Sequence, residues 1–383
     1  MYPKLRFKGF DDAWEQRKLG EITGKVIGGG TPKTCVSEYW DGDIPWIQSS
    51  NVQENEMFDF DIPKSITQEG LEKSAAKLVP ENSIAVVTHV GVGKLVFVPF
   101  SYTTSQDFTS LSELKTDAQF TCYSLYQRIK NDLHIVQGSA IKGITKDDLL
   151  SKEIMVPEIQ EQRKIGNYFR KLDNLITLHQ RQCEALKKQK QFFLQNMFPK
   201  EGESVPRIRF NGFTEPWEQR KLSDIGNIIT GSTPSTKDKN NYNGDFLFVS
   251  PADIQGNRFV EKTITTLSEL GFKKGRILAP KSTLFVSIGS TIGKVAQIRD
   301  FAVTNQQINS IEPFKDIDPD FVFSLMQKES PSIRCLSATQ AVPILNKTTF
   351  SNVEVSIASN INEQYRIGEL FIKLDSTITL HQR

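Results

Sequence analysis

The tetrapeptide Asp43-Ile44-Pro45-Trp46 is the stretch of this sequence that most suggests a chemical step. It differs at one position from Asp-Pro-Pro-Trp, which holds the target amino group in enzymes that methylate adenine in DNA. Upstream, Gly28-Gly29-Gly30 has the composition of a glycine turn at a methyl-donor site. Such a turn needs a βαβ unit of roughly 30 residues or more, and the short segment between the two motifs has no room for one. We therefore interpret the tetrapeptide as the entry to a strand with a buried Trp46.

A lysine follows a glycine-containing turn twice, in Gly91-Val92-Gly93-Lys94 and in Gly289-Ser290-Thr291-Ile292-Gly293-Lys294. Neither turn is a Walker phosphate loop, because the glycine spacing differs and Leu95 and Val295 stand where Ser or Thr must bind magnesium. Each is a hairpin turn with one basic side chain, which is either solvated or in contact with a phosphate. The four cysteines include no CxxC pair, and the four histidines form no recurring triad. The sequence thus predicts neither a catalytic site nor a metal site.

The strongest feature of the sequence is an internal repeat of about 200 residues. The segment Arg6–Ile22 returns at an offset of 203 with 11 of 17 positions identical. The segments Ile159–Arg181 and Ile361–Arg383 match at 15 of 23 positions. Between these blocks the halves diverge, and the copy of the tetrapeptide reads Asp245-Phe246-Leu247-Phe248, without proline. A chain of this kind keeps one architecture twice and varies what each copy contacts.

The composition is ordinary for a soluble protein, with 38% hydrophobic residues, 24% charged residues and a net charge of +2. No apolar run approaches the ~20 residues of a membrane helix, and the N-terminus lacks the apolar core of a signal peptide. We therefore predict a cytoplasmic protein without a membrane partner, which also fits the scattered cysteines. A stand-alone DNA-binding protein is usually more basic, so DNA binding would need concentrated basic residues and help from other subunits.

Each half is predicted to be a mixed α/β domain of about 150 residues. β-branched runs at 83–90 and 94–98, and at 283–288 and 294–298, predict strands joined at glycine turns. Helices are expected at Ile66–Leu78 and Asp318–Lys328. The predicted division is a first domain at 1–158, a helix at 159–198, a linker at 199–207, a second domain at 208–360 and a second helix at 361–383.

The segment Glu158–Phe198 has the heptad pattern of a long coiled-coil helix. Its a and d positions are Phe169, Leu172, Ile176, His179, Cys183, Leu186, Lys190, Phe193 and Met197. A helix of about 60 Å needs a partner helix, and Ile361–Arg383 begins the same pattern again. Nine Lys or Arg residues against three acids at 161–200 indicate either a solvated face or a surface for a DNA backbone or an acidic partner.

These features resemble the specificity (S) subunit of type I restriction-modification enzymes. The resemblance rests on Trp14-Glu15-Gln16-Arg17-Lys18-Leu19 and Trp217-Glu218-Gln219-Arg220-Lys221-Leu222, each followed by a Thr-Pro pair. It rests equally on the closing segments Ile159-Gln160-Glu161-Gln162-Arg163-Lys164-Ile165 and Ile361-Asn362-Glu363-Gln364-Tyr365-Arg366-Ile367. It covers nearly the whole chain and implies an α/β fold, with two tandem target recognition domains separated by long helices that pair as an antiparallel coiled coil.

The resemblance also implies a DNA-recognition subunit without catalytic activity. Each half would recognise one part of an asymmetric split site in double-stranded DNA, while the helices set the spacing and dock methylation subunits. The implied partners are two methylation (M) subunits and, for restriction, two motor-nuclease (R) subunits. S-adenosylmethionine, ATP and Mg²⁺ would belong to those partners, and this chain would bind no cofactor. If both halves dock on one face of the duplex, the half-site centres would lie about one helical turn, roughly 10 bp, apart.

Base-reading residues vary within this family, so the candidates are polar loop positions next to glycines that both halves share. In the first half they are Lys33, Gln48, Asn51, His89, Lys94, Gln106 and Lys142. In the second half they are Lys237, Asn240, Asp253, Lys294, Asn305, Gln306 and Asn346. The helix positions predicted to contact other subunits are Phe169, Leu172, Ile176, His179, Leu186, Phe193, Leu374, Ile378 and His381.

Two alternative functions stay open from the sequence. One is a coiled-coil assembly scaffold with degenerate recognition domains and no DNA role. The other is a fragment of a fused methylase and nuclease, which the duplication makes unnecessary because it already accounts for the entire chain. The counterpart of Gln182–Phe198 does not follow Arg383 in this sequence. We expect a longer form to complete the helix pair and to hold its second methylation subunit more firmly.

Overall fold

The structure is a computed structural model that describes residues 2–135, 143–337 and 343–382, with the backbone alone at 133–135. The chain forms two compact units, Met1–Ile176 and Thr177–Arg383. The order of helices and strands in the first unit recurs in the second. The five-segment division expected from the sequence stays a prediction.

The elements of the first unit begin after an irregular N-terminal segment. They are β1 (Glu15–Lys18), α1 (Leu19–Ile22), β2 (Thr23–Gly28), β3 (Trp40–Ile47), β4 (Ser65–Ile66), α2 (Gln68–Glu72), β5 (Ser83–Val87), β6 (Leu95–Val98), β7 (Thr103–Thr104), β8 (Phe108–Leu114), α3 (Ala118–Ile135), α4 (Lys146–Ser151), β9 (Glu153–Val156) and α5 (Ile159–Asn196). Strands β2, β8, β5 and β6 form an antiparallel sheet in that order. Strands β4, β3 and β7 form a second sheet, in which β3 and β7 run parallel.

The second unit takes the later half of α5 and then repeats the same series with one additional strand, β14. Its elements are β10 (Glu218–Lys221), α6 (Leu222–Ile225), β11 (Gly226–Thr230), β12 (Tyr242–Val249), β13 (Thr266–Leu267), α7 (Glu269–Lys274), β14 (Ile277–Leu278), β15 (Thr283–Val286), β16 (Val295–Gln297), β17 (Ala302–Thr304), β18 (Ile308–Pro313), α8 (Pro319–Cys335), α9 (Lys347–Ser351), β19 (Glu354–Ile357) and α10 (Ile361–Gln382). One sheet has the order β11-β18-β15-β16 and the other β13-β12-β17-β14.

The antiparallel sheet is buried on both faces, which explains its nearly continuous apolar strands. Successive side chains of a strand point to opposite faces. In β5, Ile84 and Val86 belong to the hydrophobic cluster that includes α3, whereas Ala85 and Val87 belong to the cluster that includes the end of β3 and Tyr102, just before β7. Each unit is therefore a layered α/β domain with a helix on one face of the central sheet and a second sheet on the other.

The matching ends of the two halves close each unit on itself. Strand β1 pairs with β9 and β10 pairs with β19, all antiparallel. Arg6 forms a two-point ion pair with the buried carboxylate of Glu161, with both nitrogen–oxygen distances at 2.8 Å. Arg209 forms the same pair with Glu363, at 2.7 and 2.8 Å. These contacts connect the start of each unit to its closing helix, and they account for the identity of the end blocks.

A buried glutamine strengthens this closure. Gln162 accepts the backbone N–H of Asp117 at 2.8 Å and donates to the carbonyl of Pro157 at 2.7 Å. Gln364 makes the equivalent two bonds in the second unit, at 2.9 and 2.7 Å. One side chain thus satisfies two backbone groups that would otherwise be buried without partners.

Replacement of Gln162 by alanine is expected to lower the free energy of unfolding of the first unit by about 2 kcal/mol or more. The physical reason is that each buried backbone group left without a partner costs about 1–3 kcal/mol. Urea denaturation followed by circular dichroism measures the change. The neighbouring Gln160 is exposed, and Gln160→Ala serves as the control. Equal stability of the two variants would show that the bonds of Gln162 contribute nothing.

The pairing of α5 with α10 occurs inside the second unit and is antiparallel, as predicted. The rings of His179 and His381 face each other with their Nδ1 atoms 3.0 Å apart. Further along, Lys190 forms an ion pair with Asp375. A later residue of α5 thus meets an earlier residue of α10, which defines opposite directions. The two histidines lie in the helix pair, as the heptad pattern indicated.

The prediction of a helix over Ile66–Leu78 is wrong for most of its length. Only Gln68–Glu72 is α-helical, Ile66 is part of β4, and the next residue after the segment, Val79, forms a bridge with Tyr102. Ile66 is fully buried beside β3, so packing in the second sheet requires an extended backbone there. Tertiary contacts override the local helical propensity.

The other predicted elements are confirmed with shifted ends. The two hairpins at the Gly-Lys turns are β5–β6 and β15–β16, and the helix expected over Asp318–Lys328 is α8, which continues to Cys335. The side chain of Trp46 lies in β3 and is 4% exposed, and Phe248 takes its place in β12. The interpretation of the Asp-Ile-Pro-Trp segment as a strand with a buried tryptophan is therefore correct.

Candidate nucleic-acid interface

Loops that are distant in the sequence meet along one edge of the first unit. We call this the first loop edge, and it comprises residues 29–36, 48–51, 88–93, 104–107 and 143–145. The backbone hydrogen bonds that join these loops are Gly30 N–H to Thr104 at 2.8 Å, Ser105 N–H to Ile47 at 2.9 Å, Thr88 N–H to Asp107 at 2.7 Å and Ile144 N–H to Thr88 at 2.8 Å. The loops are thus held together by main-chain groups, which leaves their side chains free to differ.

The second unit builds the second loop edge from residues 231–241, 250–253, 287–293, 304–307 and 343–346. The corresponding hydrogen bonds are Ser232 N–H to Thr304 at 2.8 Å, Asn305 N–H to Val249 at 3.0 Å, Ser287 N–H to Gln307 at 2.7 Å and Leu345 N–H to Ser287 at 2.8 Å. All four main-chain hydrogen bonds of the first loop edge have a counterpart in the second, although most of the loop residues differ between the halves. The frame is therefore duplicated and its surface chemistry is not.

A glycine is required where the first loop crosses the turn before β8. A Cβ atom at Gly29 would lie 1.9 Å from the carbonyl oxygen of Ser105. A Cβ atom at Gly231 would lie 2.1 Å from the carbonyl oxygen of Asn305. This contact explains why both halves carry a glycine two residues before their Thr-Pro pair, at the start of the loop that we call the Thr-Pro loop.

A threonine–glutamine hydrogen bond recurs on both loop edges. The hydroxyl of Thr31 donates to Oε1 of Gln106, and the hydroxyl of Thr233 donates to Oε1 of Gln306. Both glutamines are exposed. Because the oxygen of each amide is used in this way, the amide nitrogen is the donor end that each glutamine can present to a ligand.

The predicted DNA-contacting residues fall into two groups by exposure, and Lys142 lies outside the described residues. The exposed side chains are Lys33, His89, Gln106, Lys237, Asn240, Gln306 and Asn346. The half-buried side chains are Gln48, Asn51, Lys94, Asp253, Lys294 and Asn305. Except for the two lysines of the Gly-Lys turns and Lys142, these candidates belong to one or the other loop edge. The structure thus brings together positions that the sequence left scattered.

Several of the candidates use their side-chain oxygens to stabilise local backbone, and among them Asn305 accepts the N–H of Gln307 at 3.1 Å. Asn51 accepts the N–H of Gln48 at 2.9 Å, and Asp253 accepts the N–H of Ser250 at 2.8 Å. Asn346 caps α9 through a 2.9 Å bond from the N–H of the third helical residue. These bonds fix the shape of the loops, and a role of the same residues in DNA contact stays a prediction.

The recurring lysines of the Gly-Lys turns have a shared structural contact. Lys94 donates from Nζ to the carbonyl of Val52 at 3.0 Å. Lys294 donates to the carbonyl of Ile254 at 2.9 Å. In both units the lysine thus connects the hairpin turn to the residue that follows a one-turn helix, which gives a physical reason for its recurrence. Phosphate contact by either lysine stays a prediction.

Charged side chains that the sequence analysis did not single out lie near both loop edges. Lys64 stacks over the rings of Trp40 and Trp46, with its Nζ 5.9 and 5.7 Å from the ring centroids. In the second unit, the hydrogen bond from Lys274 lowers the pKa of Asp238 below its ordinary value. Lys64 directly precedes β4 in the sequence. Its contact with the two tryptophans could not be predicted from the sequence, because it depends on the pairing of β4 with β3.

The helix positions predicted to contact other subunits differ in exposure. Phe169 and Ile176 are 44% and 54% exposed, whereas Leu374 and Ile378 are buried at 9% and 8%. The remaining positions are the half-buried Leu172, Leu186, Phe193 and His381 and the exposed His179. Phe169 and Ile176 thus form an exposed apolar surface on the first half of α5. Their counterparts in the repeat, Phe371 and Ile378 of α10, are buried.

The described residues form neither a metal-binding cluster nor a membrane-spanning helix. In residues 2–135, 143–337 and 343–382 no group of three or more His, Cys, Asp or Glu side chains is arranged to hold a metal ion. Within that same part of the chain, no helix combines the length and the apolar character needed to cross a membrane.

The chain is similar to proteins of one family. The family profile described as type I restriction modification DNA specificity domain matches residues 11–188 and 214–383. The type I restriction enzyme MjaIX specificity subunit of Methanocaldococcus jannaschii is 26% identical over 294 residues, which cover 73% of this chain and 67% of that protein. The MjaVIII specificity subunit of the same organism is 21% identical over 97% of this chain and 88% of its own length.

Other matches are shorter or concern the fold alone. The type I restriction enzyme HindI specificity subunit of Haemophilus influenzae is 32% identical over 36% of this chain, and the match spans 31% of that protein. The crystal structure of the type I restriction-modification S subunit from M. genitalium aligns with a TM-score of 0.68 and 15% identity, covering 100% of this chain and 94% of that one.

The duplicated α/β frame with two unlike loop edges and an antiparallel helix pair defines a class of bipartite recognition proteins. The profile matches account for most of the chain. The protein belongs to the type I restriction modification DNA specificity domain family.

Proposed function

We propose that this chain is the DNA-recognition subunit of a type I restriction-modification complex, in which each loop edge recognises one part of a split DNA site. The observation that carries the proposal is the pair of loop edges, which share their main-chain hydrogen bonds and differ in their side chains. A duplicated frame with different side chains suits two unlike half-sites. Base edges are read by side chains presented from such loops, while other contacts to the phosphates fix the register.

The proposed division of labour assigns no catalysis to this chain. Two methylation subunits and, in the restriction complex, two motor-nuclease subunits would supply the chemistry. S-adenosylmethionine, ATP and Mg²⁺ belong to those partners in the proposal. The net charge of +2 supports this arrangement, because a near-neutral subunit needs the basic residues of its partners for much of its attraction to the phosphate backbone.

The helices are proposed to set the spacing and to dock the methylation subunits. α5 is 38 residues long and therefore spans about 57 Å. Its exposed Phe169 and Ile176 supply apolar surface for a partner helix. Half-site centres roughly 10 bp apart would place both loop edges on one face of the duplex.

The decisive experiment is to co-express this chain with a methylation subunit from the same genome and to map methyl-adenine by single-molecule sequencing. We expect one split motif with two unlike parts and a fixed gap. A stable complex without any methylation would favour the alternative of an assembly scaffold. Failure to form a complex would contradict the proposed function.

Lys33→Ala is expected to weaken DNA binding to a similar degree for all sequences. Lys33 is exposed on the first loop edge, and we propose that it contacts a phosphate and not a base. A lysine in such a contact contributes about one unit to the slope of log affinity against log salt. Fluorescence anisotropy of the assembled methyltransferase at several salt concentrations measures the slope. Lys73→Ala is the control, because Lys73 is held by Glu69 in α2 at 2.9 Å. A change in the methylated motif would contradict a phosphate contact by Lys33.

A further inference from the structure

A basic side chain occupies the equivalent position beside both loop edges. In the second unit it is Arg276, directly before β14, and in the first unit it is Lys77. The strand contacts establish the equivalence, because Leu278 pairs with the first residue of β17 and Val79 bridges to Tyr102, just before β7. Each cation stands two residues before that contact. Both side chains are exposed.

Arg276 is anchored to the second loop edge by two hydrogen bonds. Its backbone N–H donates to the hydroxyl of Ser232 at 2.8 Å. Its Nη1 donates to the carbonyl of Thr230 at 2.8 Å. Ser232 lies in the Thr-Pro loop and Thr230 ends β11, so the guanidinium stands beside that loop. One of its five N–H donors accounts for the anchor, and the others remain for a ligand.

The charge of Arg276 is not neutralised locally, unlike that of its neighbour. Lys274 bonds the carboxylate of Asp238 at 3.2 Å and Asn241 at 2.9 Å. The anchors of Arg276 are a neutral carbonyl and a hydroxyl, and in the described part of the chain it forms no ion pair. An exposed, anchored guanidinium with free donors is suited to bidentate hydrogen bonding.

We propose that Arg276 is a specificity-determining residue that recognises a guanine in the second half-site, and that Lys77 has the corresponding role in the first. The proposal rests on the proposed function and deepens it. Guanine presents two acceptors, N7 and O6, in the major groove, and the arginine fork matches them in a bidentate manner. The anchor at Thr230 restricts the side chain before binding, which reduces the entropy lost in the complex.

The test compares Arg276→Ala, Arg276→Lys and Lys274→Ala in the full chain, each assembled with the methylation subunit. Methyl-adenine mapping is expected to show that Arg276→Ala relaxes one guanine of one half-site. Discrimination at that base pair should fall about 5–150-fold, while the other half-site is unchanged. Arg276→Lys should retain part of the discrimination, and Lys274→Ala should retain all of it. Lys77→Ala should relax the opposite half-site.

Two results would overturn the proposal. An unchanged motif for Arg276→Ala would exclude base recognition by this residue. A uniform loss of affinity for all sequences, with a smaller salt slope, would identify a phosphate contact instead. Thermal unfolding of the variants shows whether the lost bond to Thr230 alone explains a defect. A wild-type complex that yields no split motif would refute the proposed function itself, and this proposal with it.

Discussion

Replacement of Arg258 by alanine is expected to lower the free energy of unfolding of the second unit by about 3–5 kcal/mol. The side chain of Arg258 is 2% exposed and forms ion pairs with Asp320 at 2.8 Å and with Asp375 at 3.2 Å. It also donates to Gln297 at 3.0 Å and lies 4.3 Å from the ring centroid of Phe323. Burial lowers the pKa of Arg258 below its ordinary value, and the two aspartates oppose this effect. Its removal leaves two carboxylates, each about nine-tenths buried, with fewer partners.

Urea denaturation of the full chain measures the effect of Arg258→Ala on the free energy of unfolding. Arg220→Ala is the matched control, because Arg220 pairs with Glu218 at 3.3 Å with both side chains at least 38% exposed. Such exposed pairs contribute about 0–1 kcal/mol. Equal destabilisation by the two substitutions would contradict a special role for the buried network.

The first unit suggests how the network can be replaced without loss of the fold. Met57 is the structural counterpart of Arg258 in the first unit. The backbone carbonyl of Met57 accepts the N–H of Phe97, and the backbone carbonyl of Arg258 accepts the N–H of Gln297 in the same way. A double substitution of Arg258→Met with Asp320→Gln should therefore recover part of the lost stability. Recovery is expected because the double variant removes the charge of Asp320 together with that of Arg258, whereas removal of the cation alone leaves that buried carboxylate without this partner. Asp375 keeps its ion pair with Lys190 in the double variant, and the same urea denaturation measures the recovery.

The substitution Gly29→Ala is expected to reduce DNA affinity about tenfold or more and to destabilise the first unit by about 1–3 kcal/mol. The new Cβ atom would lie 1.9 Å from the carbonyl oxygen of Ser105 and 2.3 Å from the hydroxyl of Thr104. The Thr-Pro loop must then move away from the turn before β8. That movement displaces the loop edge on which we propose that the first half-site binds.

Gly28→Ala is the matched control for this change. Gly28 is adjacent in the sequence, and a Cβ atom there would meet nothing within 4 Å. Anisotropy with the assembled methyltransferase and urea denaturation give the two measurements. The same affinity for both alanine variants would show that the close approach of the loops has no bearing on DNA binding.

The duplication, the α/β class of each half and the long pairing helix were all predicted by the sequence. These features follow from patterns that can be read directly from the sequence: heptad periodicity in α5, β-branched runs at the two hairpins and end blocks that match at most positions. The end blocks match because they pair with each other in space, through Arg6 and Glu161 in the first unit and through Arg209 and Glu363 in the second.

The tertiary structure alone decided which scattered residues share a surface and which charges are buried. No local pattern marks Arg258 as a buried cation, since its aspartate partners come from α8 and α10, far along the chain. Nor does any motif mark Arg276, because its equivalence to Lys77 appears only when β14 is paired with β17. The prediction of a helix over Ile66–Leu78 was wrong for the same reason. Contacts between distant segments outweigh local propensity wherever a side chain must fill the core of a sheet.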